Sequence, residues 1–278
     1  MRLSRLLACL LLPLLLAACD GMEARKDSAV GLLEPQGWSQ AIIEAGPFQL
    51  FAAWMPRGSA RVLTVYIEGD GFAYLDETHP SPDPTPRDAM GLRLALADKD
   101  AKMVAYLGRP CQFVMPAHGQ GCSSDYWTSK RYAPEVIESI SAAIDQLKVR
   151  TDAQKVLLVG YSGGGAVAAL VAGRRKDVVG LATVAANLDL GYWLSRDGLL
   201  PLDGSLDPAL EAGRLANLPQ VHFAGGKDEV VGPDVVQSYL SRLPPSAPAR
   251  LEVLPDQDHY CCWAEIWPSL INRFRANP

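Results

Sequence analysis

The chain has 278 residues, is 49% hydrophobic and carries 26 basic against 31 acidic side chains, a formal net charge of −5. That length and apolar fraction suffice for one substantial core without a second domain. The longest basic run, Arg174 to Lys176, falls where a helix should end and complements its dipole, so nucleic acid is excluded as a partner.

The opening, "MRLSRLLACLLLPLLLAACD", has the plan of an export signal. Arg2 and Arg5 form a charged head, Leu6 to Leu16 an apolar run interrupted by Pro13, and Ala17-Ala18 a small-residue cleavage site. The run is short for a bilayer-spanning helix. Leu16-Ala17-Ala18-Cys19 resembles the lipobox of bacterial lipoproteins, which implies cleavage after residue 18 and lipid on Cys19. Removal of 1–18 deletes two arginines and no acid, taking the formal charge to −7. Asp20 resembles an inner-membrane retention signal. Residues 19–37 are polar and read as a tether from that anchor, on the periplasmic side of the cell envelope, to a domain spanning 38–278.

From residue 48 short apolar runs alternate with helical patterns. Strands are expected at Phe48–Met55, Arg61–Ile67 and Lys102–Leu107, then a helix from Pro134 to about Val149. A strand at Lys155–Val159 leads through a glycine turn into a tightly packed helix, followed by a strand at Val178–Val184. Gln220–Ala224, a helix near Pro233–Leu243, Arg250–Leu254 and a last helix from Cys262 to Arg275 complete the order. Strands separated by helices imply right-handed crossovers and a mainly parallel α/β sheet covered on both faces. Residues 188–218 interrupt the rhythm and read as a small cap.

The stretch "KVLLVGYSGGGAVAALVAG" places Ser162 between Gly160 and Gly163, just where the strand ends. Glycines accept the backbone geometry of so sharp a turn, and the hydroxyl projects beside the positive end of the next helix. A serine nucleophile needs a base, and the base a carboxylate to hold its tautomer. Of the four histidines, His222 lies inside a strand and reads as core, while His79 and His118 sit in loops ahead of Ser162. His259 follows the last strand, where an open α/β sheet places its active groups. Asp228, beyond the Gly225-Gly226 turn, is the first choice of acid, and Asp189 the alternative.

"GYSGG" fits the G-x-S-x-G nucleophile elbow, and Ser162, Asp228 and His259 follow the chain order of the α/β-hydrolase superfamily, which the chain resembles over most of 48–275. "YIEGDG…DPTP…YLGRPCQ" further resembles a group of bacterial lipoprotein hydrolases. The resemblance implies an α/β-hydrolase fold and a serine hydrolase, carboxylesterase- or lipase-like, acting on a small-molecule or lipid-like acyl substrate. It also implies an oxyanion hole built from the backbone N–H of Gly163 and of Asp70 or Gly71. Relatives often carry His-Gly-x-Gly there; this chain has Glu68-Gly69-Asp70-Gly71, an acidic pair expected to disfavour anionic substrates unless the carboxylates turn away to anchor the loop. The proline-rich stretch His79–Pro86 is expected to wall the site. Trp127, Tyr132, Tyr192 and Trp193 are candidates to line its pocket. An acyltransferase or peptidase on the same fold, or a silent binding protein, remain alternatives.

No metal or organic cofactor is implied, because cysteines and histidines lack zinc-type spacing. With Cys9 in the signal and Cys19 reserved for lipid, Cys111, Cys122, Cys261 and Cys262 remain. In an exported protein four cysteines favour two disulfides. Cys111 with Cys122 closes a short irregular loop and is preferred. Cys261 and Cys262 are left as a vicinal bridge or free thiols, with crossed pairings or plain burial as the other options.

Overall fold

The alternating pattern folds into one eight-stranded sheet flanked by helices. The structure, a computed structural model, describes residues 24–114 and 121–277. The signal at 1–18, the lipidation candidate Cys19 and His118 lie outside the described residues.

The strands are β1 (Ser39–Ala45), β2 (Phe48–Pro56), β3 (Val62–Ile67), β4 (Met103–Leu107), β5 (Lys155–Tyr161), β6 (Val178–Val184), β7 (Gln220–Gly225) and β8 (Ala249–Leu254). They lie in the order β1-β2-β4-β3-β5-β6-β7-β8. β2 is antiparallel to both β1 and β4, and every pairing from β4 through β8 is parallel. The expected mainly parallel sheet is present. The carboxyl ends of β3 to β8 therefore converge on one edge, with β5 in the middle.

Besides a helix at 24–33, six α-helices are named among the described residues: α1 (Met90–Ala97), α2 (Pro134–Thr151), α3 (Gly163–Ala172), α4 (Leu190–Asp197), α5 (Pro233–Leu240) and α6 (Trp263–Ala276). On α2, Val136, Ile140, Ala143, Ile144 and Leu147 recur at helical spacing and are buried against one face of the sheet together with α3. α3 is buried along its whole length, which its glycines, alanines and valines permit by letting the backbone approach the strands. The other face buries Leu92 and Leu96 of α1 and Trp263, Trp267, Ile271 and Phe274 of α6. There Tyr66 Oη donates to Asp98 at 2.7 Å and accepts from Trp267 Nε1 at 2.8 Å, so these buried polar groups satisfy one another.

A helix at 24–33, a 3₁₀ turn at Glu34–Gln36 and β1 stand ahead of the first expected strand. β1 buries only Ile43 and Ala45, so as a half-solvated edge strand it leaves little apolar signal. Residues 24–33, expected to be tether, form a helix that buries Ala29 and Leu33, so ordered packing begins upstream of residue 38. The segment 188–218, expected as a cap, divides in two. α4 presents Trp193 to a cleft, whereas the 3₁₀ helix Pro208–Leu215 buries Pro208, Ala209, Ala212 and Leu215 as ordinary crossover packing.

Candidate active site

Loops leaving β3, β5, β7 and β8 bring the sequence-derived candidates together at the carboxyl edge of the sheet. Ser162 sits between β5 and α3 with φ 50° and ψ −126°, a conformation that side chains rarely adopt. It is held there by two backbone bonds of 2.8 Å, its own N–H donating to Val184 O and its carbonyl accepting from Gly165 N–H. A Cβ at Gly160 would lie 2.3 Å from Gly164 O, and one at Gly163 would lie 2.0 Å from Asp70 Oδ1. The close approach of neighbouring chain forces glycine on both sides of the serine.

His259 Nε2 lies 3.1 Å from Ser162 Oγ, and Nδ1 lies 2.9 Å from Asp228 Oδ2. A proton on Nδ1 donated to the carboxylate leaves Nε2 free to accept the serine hydroxyl proton. Tyr161 Oη donates to His259 O at 2.9 Å and fixes the backbone of that loop. Asp228 Oδ1 accepts the N–H groups of Val230 and Val231, both at 2.9 Å. Burial opposes ionisation of Asp228, but His259 and the two amides together outweigh it and hold the carboxyl below the usual aspartate range.

The alternative acid goes elsewhere. Asp189 caps α4, with Oδ1 accepting Tyr192 N–H at 2.9 Å and Oδ2 accepting Ser238 Oγ–H at 2.6 Å. His222 is buried, with Nδ1 2.8 Å from Thr183 Oγ1 and its pKa pushed down to about 3 by desolvation. His79 pairs with Asp76 on the surface.

The Glu68–Gly71 loop lies opposite the serine, and both line one cleft of about 570 Å³. Gly163 opens α3, where its N–H has no intrahelical carbonyl to meet. Among the described residues, the N–H groups of Asp70 and Gly71 have no partner within the protein either. These are the donors named from the sequence; Asp70 and Gly71 line the cleft with Ser162, and Gly163 directly follows the serine.

The expected repulsion of anions does not follow from this loop. Glu68 turns away into the core, where it accepts Gly69 N–H, Gly91 N–H, Leu92 N–H and Tyr106 Oη–H at 2.9–3.3 Å. Burial dominates and raises its pKa, although all four donors pull the other way. Asp70 is clamped by Arg109 Nη1 at 3.1 Å, Arg131 Nη1 at 2.8 Å and Tyr132 Oη at 2.9 Å. Burial works against its charge, yet the two guanidinium groups prevail and lower its pKa. Gln112 Nε2 adds a bond to Gly69 O at 3.0 Å. Arg109, Arg131 and Gln112 escape a linear reading because each looks like a loop residue facing water.

Trp193 is the one of four candidate aromatics that reaches the cleft. Trp127 is buried with Nε1 donating to Ser81 O, Tyr132 serves Asp70, and Tyr192 Oη bonds Asp234 at the surface. The remaining apolar lining includes Phe72, Tyr74, Val231 and Tyr260. Of the proline-rich stretch, Pro86 lines the cleft, and Pro84 O accepts Phe72 N–H at 3.0 Å from behind. Cys111 and Cys122 form a disulfide with Cα atoms 5.8 Å apart, and Cys261 and Cys262 form a vicinal one. Among the described residues no group of three or more His, Cys, Asp or Glu side chains is placed to hold a metal, and no helix is long and apolar enough to cross a membrane.

An esterase of Pyrococcus furiosus superimposes with a TM-score of 0.62 at 16% identity, over 86% of this chain and 90% of its own. An alpha-beta serine hydrolase homologue from Coxiella burnetii gives 0.60 at 18% identity, over 86% and 96%. Est1E from Butyrivibrio proteoclasticus gives 0.60 at 14% identity, over 86% and 99%. No family model matches the chain, and no curated protein does. At these identities the likeness is one of fold: the chain has the α/β-hydrolase fold.

Proposed function

We propose that the protein is a serine hydrolase that cleaves an ester or related acyl bond through an acyl-enzyme on Ser162. The observation that carries this reading is the hydrogen-bonded series Asp228–His259–Ser162, with the serine strained at the floor of an open cleft. Neighbours of the same fold, an esterase and a serine hydrolase homologue, support it.

In this mechanism Ser162 Oγ attacks the acyl carbon while its proton passes to His259 Nε2. Asp228 stabilises the resulting imidazolium through Nδ1. The carbonyl oxygen, now negative, faces the N–H groups of Gly163 and of Asp70 or Gly71, which need no reorientation to receive it. The intermediate collapses, the C–O bond breaks, and His259 returns the proton to the leaving alkoxide. Water deprotonated by His259 then attacks the acyl-serine and regenerates the hydroxyl.

The same proposal places the protein in a bacterial envelope, exported by residues 1–18 and held on the periplasmic side by lipid on Cys19. Exposure to a fluorophosphonate should label the wild-type protein at Ser162. Ser162→Ala should abolish labelling and ester turnover while the protein stays folded. A loss of only a fewfold in turnover would remove Ser162 from the chemistry, since loss of a nucleophile costs several orders of magnitude. A rate that depends on an added alcohol or amine would redirect the reading to an acyltransferase.

A further inference from the structure

Arg25, in the first turn of the helix at 24–33, reaches the wall of the cleft. Arg25 Nη1 donates to Thr85 O at 2.7 Å, and Nη2 pairs with Asp83 Oδ2 at 2.6 Å. Its guanidinium lies 5.5 Å from the ring centroid of Phe72, which lines the cleft. Arg87, also in the lining, lies 3.9 Å from the same ring. Residues 20–24 alone separate Arg25 from Cys19, a reach of about 20 Å at full extension. A lipid on Cys19 would hold Arg25, and with it the Phe72 wall of the cleft, within about that distance of the bilayer. The amino ends of the strands would be carried to the far side, because each strand is itself roughly 20 Å long.

The mouth has the surface such a position requires. Tyr74, Val230 and Tyr260 line the cleft and are 37%, 37% and 67% exposed, and Leu75 beside Tyr74 is 58% exposed. Aromatic and aliphatic side chains with an arginine among them suit the zone between head groups and acyl chains. Asp76 and Glu77 follow Leu75 and are also exposed, which fits a zwitterionic surface better than an anionic one.

We propose that the mouth of the cleft rests on the membrane surface, so that the site takes acyl substrates borne by the bilayer. The inference rests on the lipid at Cys19 and, for its substrate half, on the hydrolase reading above.

Orientation can be read without turnover. The full-length lipidated protein would be placed in phosphatidylcholine vesicles carrying a lipid-borne quencher. An environment-sensitive fluorophore would be attached to Leu75→Cys or, separately, to Val149→Cys. Val149 is 84% exposed near the carboxyl end of α2, by the amino ends of the strands. Quenching at position 75 and none at 149 is expected. Equal quenching, or the reverse, would overturn the orientation, and an N-terminal peptide whose mass shows no lipid would remove its anchor and overturn it too.

Delivery is read by Leu75→Asp, which touches none of the reacting groups. It should slow hydrolysis of a long-chain ester embedded in vesicles by about tenfold and leave a water-soluble acetate ester unchanged. Equal rates of wild type and variant on the embedded ester would refute delivery from the bilayer. If the wild type cleaves neither ester, the hydrolase reading fails along with the substrate half, while orientation still stands or falls on the quenching.

Discussion

Asp228 Oδ2 and His259 Nδ1 lie 2.9 Å apart although the residues are 31 positions apart in the chain. Both are buried, and the second carboxylate oxygen of Asp228 is taken by two backbone amides, so the carboxylate has one orientation and the imidazole one tautomer. Asp228→Asn keeps the shape but offers His259 the wrong partner, and turnover should fall by about 10⁴. Asp189→Asn should leave turnover within a fewfold, since asparagine also caps a helix well. Measuring kcat for both variants decides the assignment, and the reverse ranking would move the acid to Asp189.

The seven strands from β2 to β8, in chain order, and the three members of this series were legible because each stands at a punctuated boundary. Ser162 follows an apolar run and is flanked by glycines, Asp228 follows a glycine pair, and His259 follows the last strand. The helix α1 was not legible. Its N-cap is Ala89, without a side-chain cap, and the missing acceptor is Glu68, which takes the N–H groups of Gly91 and Leu92 from 23 and 24 residues away. A start signal supplied by tertiary contact leaves no local trace. The same holds for the clamp on Asp70, whose arginines come from 39 and 61 residues downstream.

The Cys111–Cys122 disulfide closes an 11-residue separation in the segment that also carries Arg109 and Gln112. Replacing both cysteines by serine should lower unfolding free energy by roughly 3 kcal/mol on the chain-entropy account. It should also loosen the Asp70 loop and reduce turnover more than it raises KM. Denaturant titration together with steady-state kinetics checks this. Lost stability with unaltered kinetics would show that the staple does not serve the loop.

Acid should weaken the fold in a way traceable to Asp177. Burial opposes its ionisation, but Arg175 and Lys148 bring its pKa down from the ordinary 3.8 to about 2. Above 3.8 the carboxylate is ionised in both folded and unfolded chains, and its stabilisation is complete. As pH falls from there to about 2 the unfolded chain takes the proton first, and that stabilisation is lost. Asp177→Asn should therefore flatten the acid limb of a plot of denaturation midpoint against pH. Asp70 and Asp228, shifted in the same direction, would retain the rest of the slope.

Gly163 tests the oxyanion geometry more sharply than any donor whose side chain can be removed. Its backbone N–H opens α3 beside the serine, and its missing side chain makes room for Asp70 and for Tyr132, whose Oη would lie 2.6 Å from an added Cβ. Asp70 is not a free side-chain tip that could step aside, since Arg109, Arg131 and Tyr132 all hold it. Gly163→Ala must then displace either the clamp or the turn, and both lie within the proposed oxyanion hole. Turnover should fall by 10²–10³, the scale of losing one such donor, with a smaller change in KM. Gly213→Ala, where an added Cβ would meet nothing within 4 Å, is the matched control and should be neutral or slightly stabilising. If the two variants turn over substrate equally well, the oxyanion does not sit between Ser162 and the Asp70 loop.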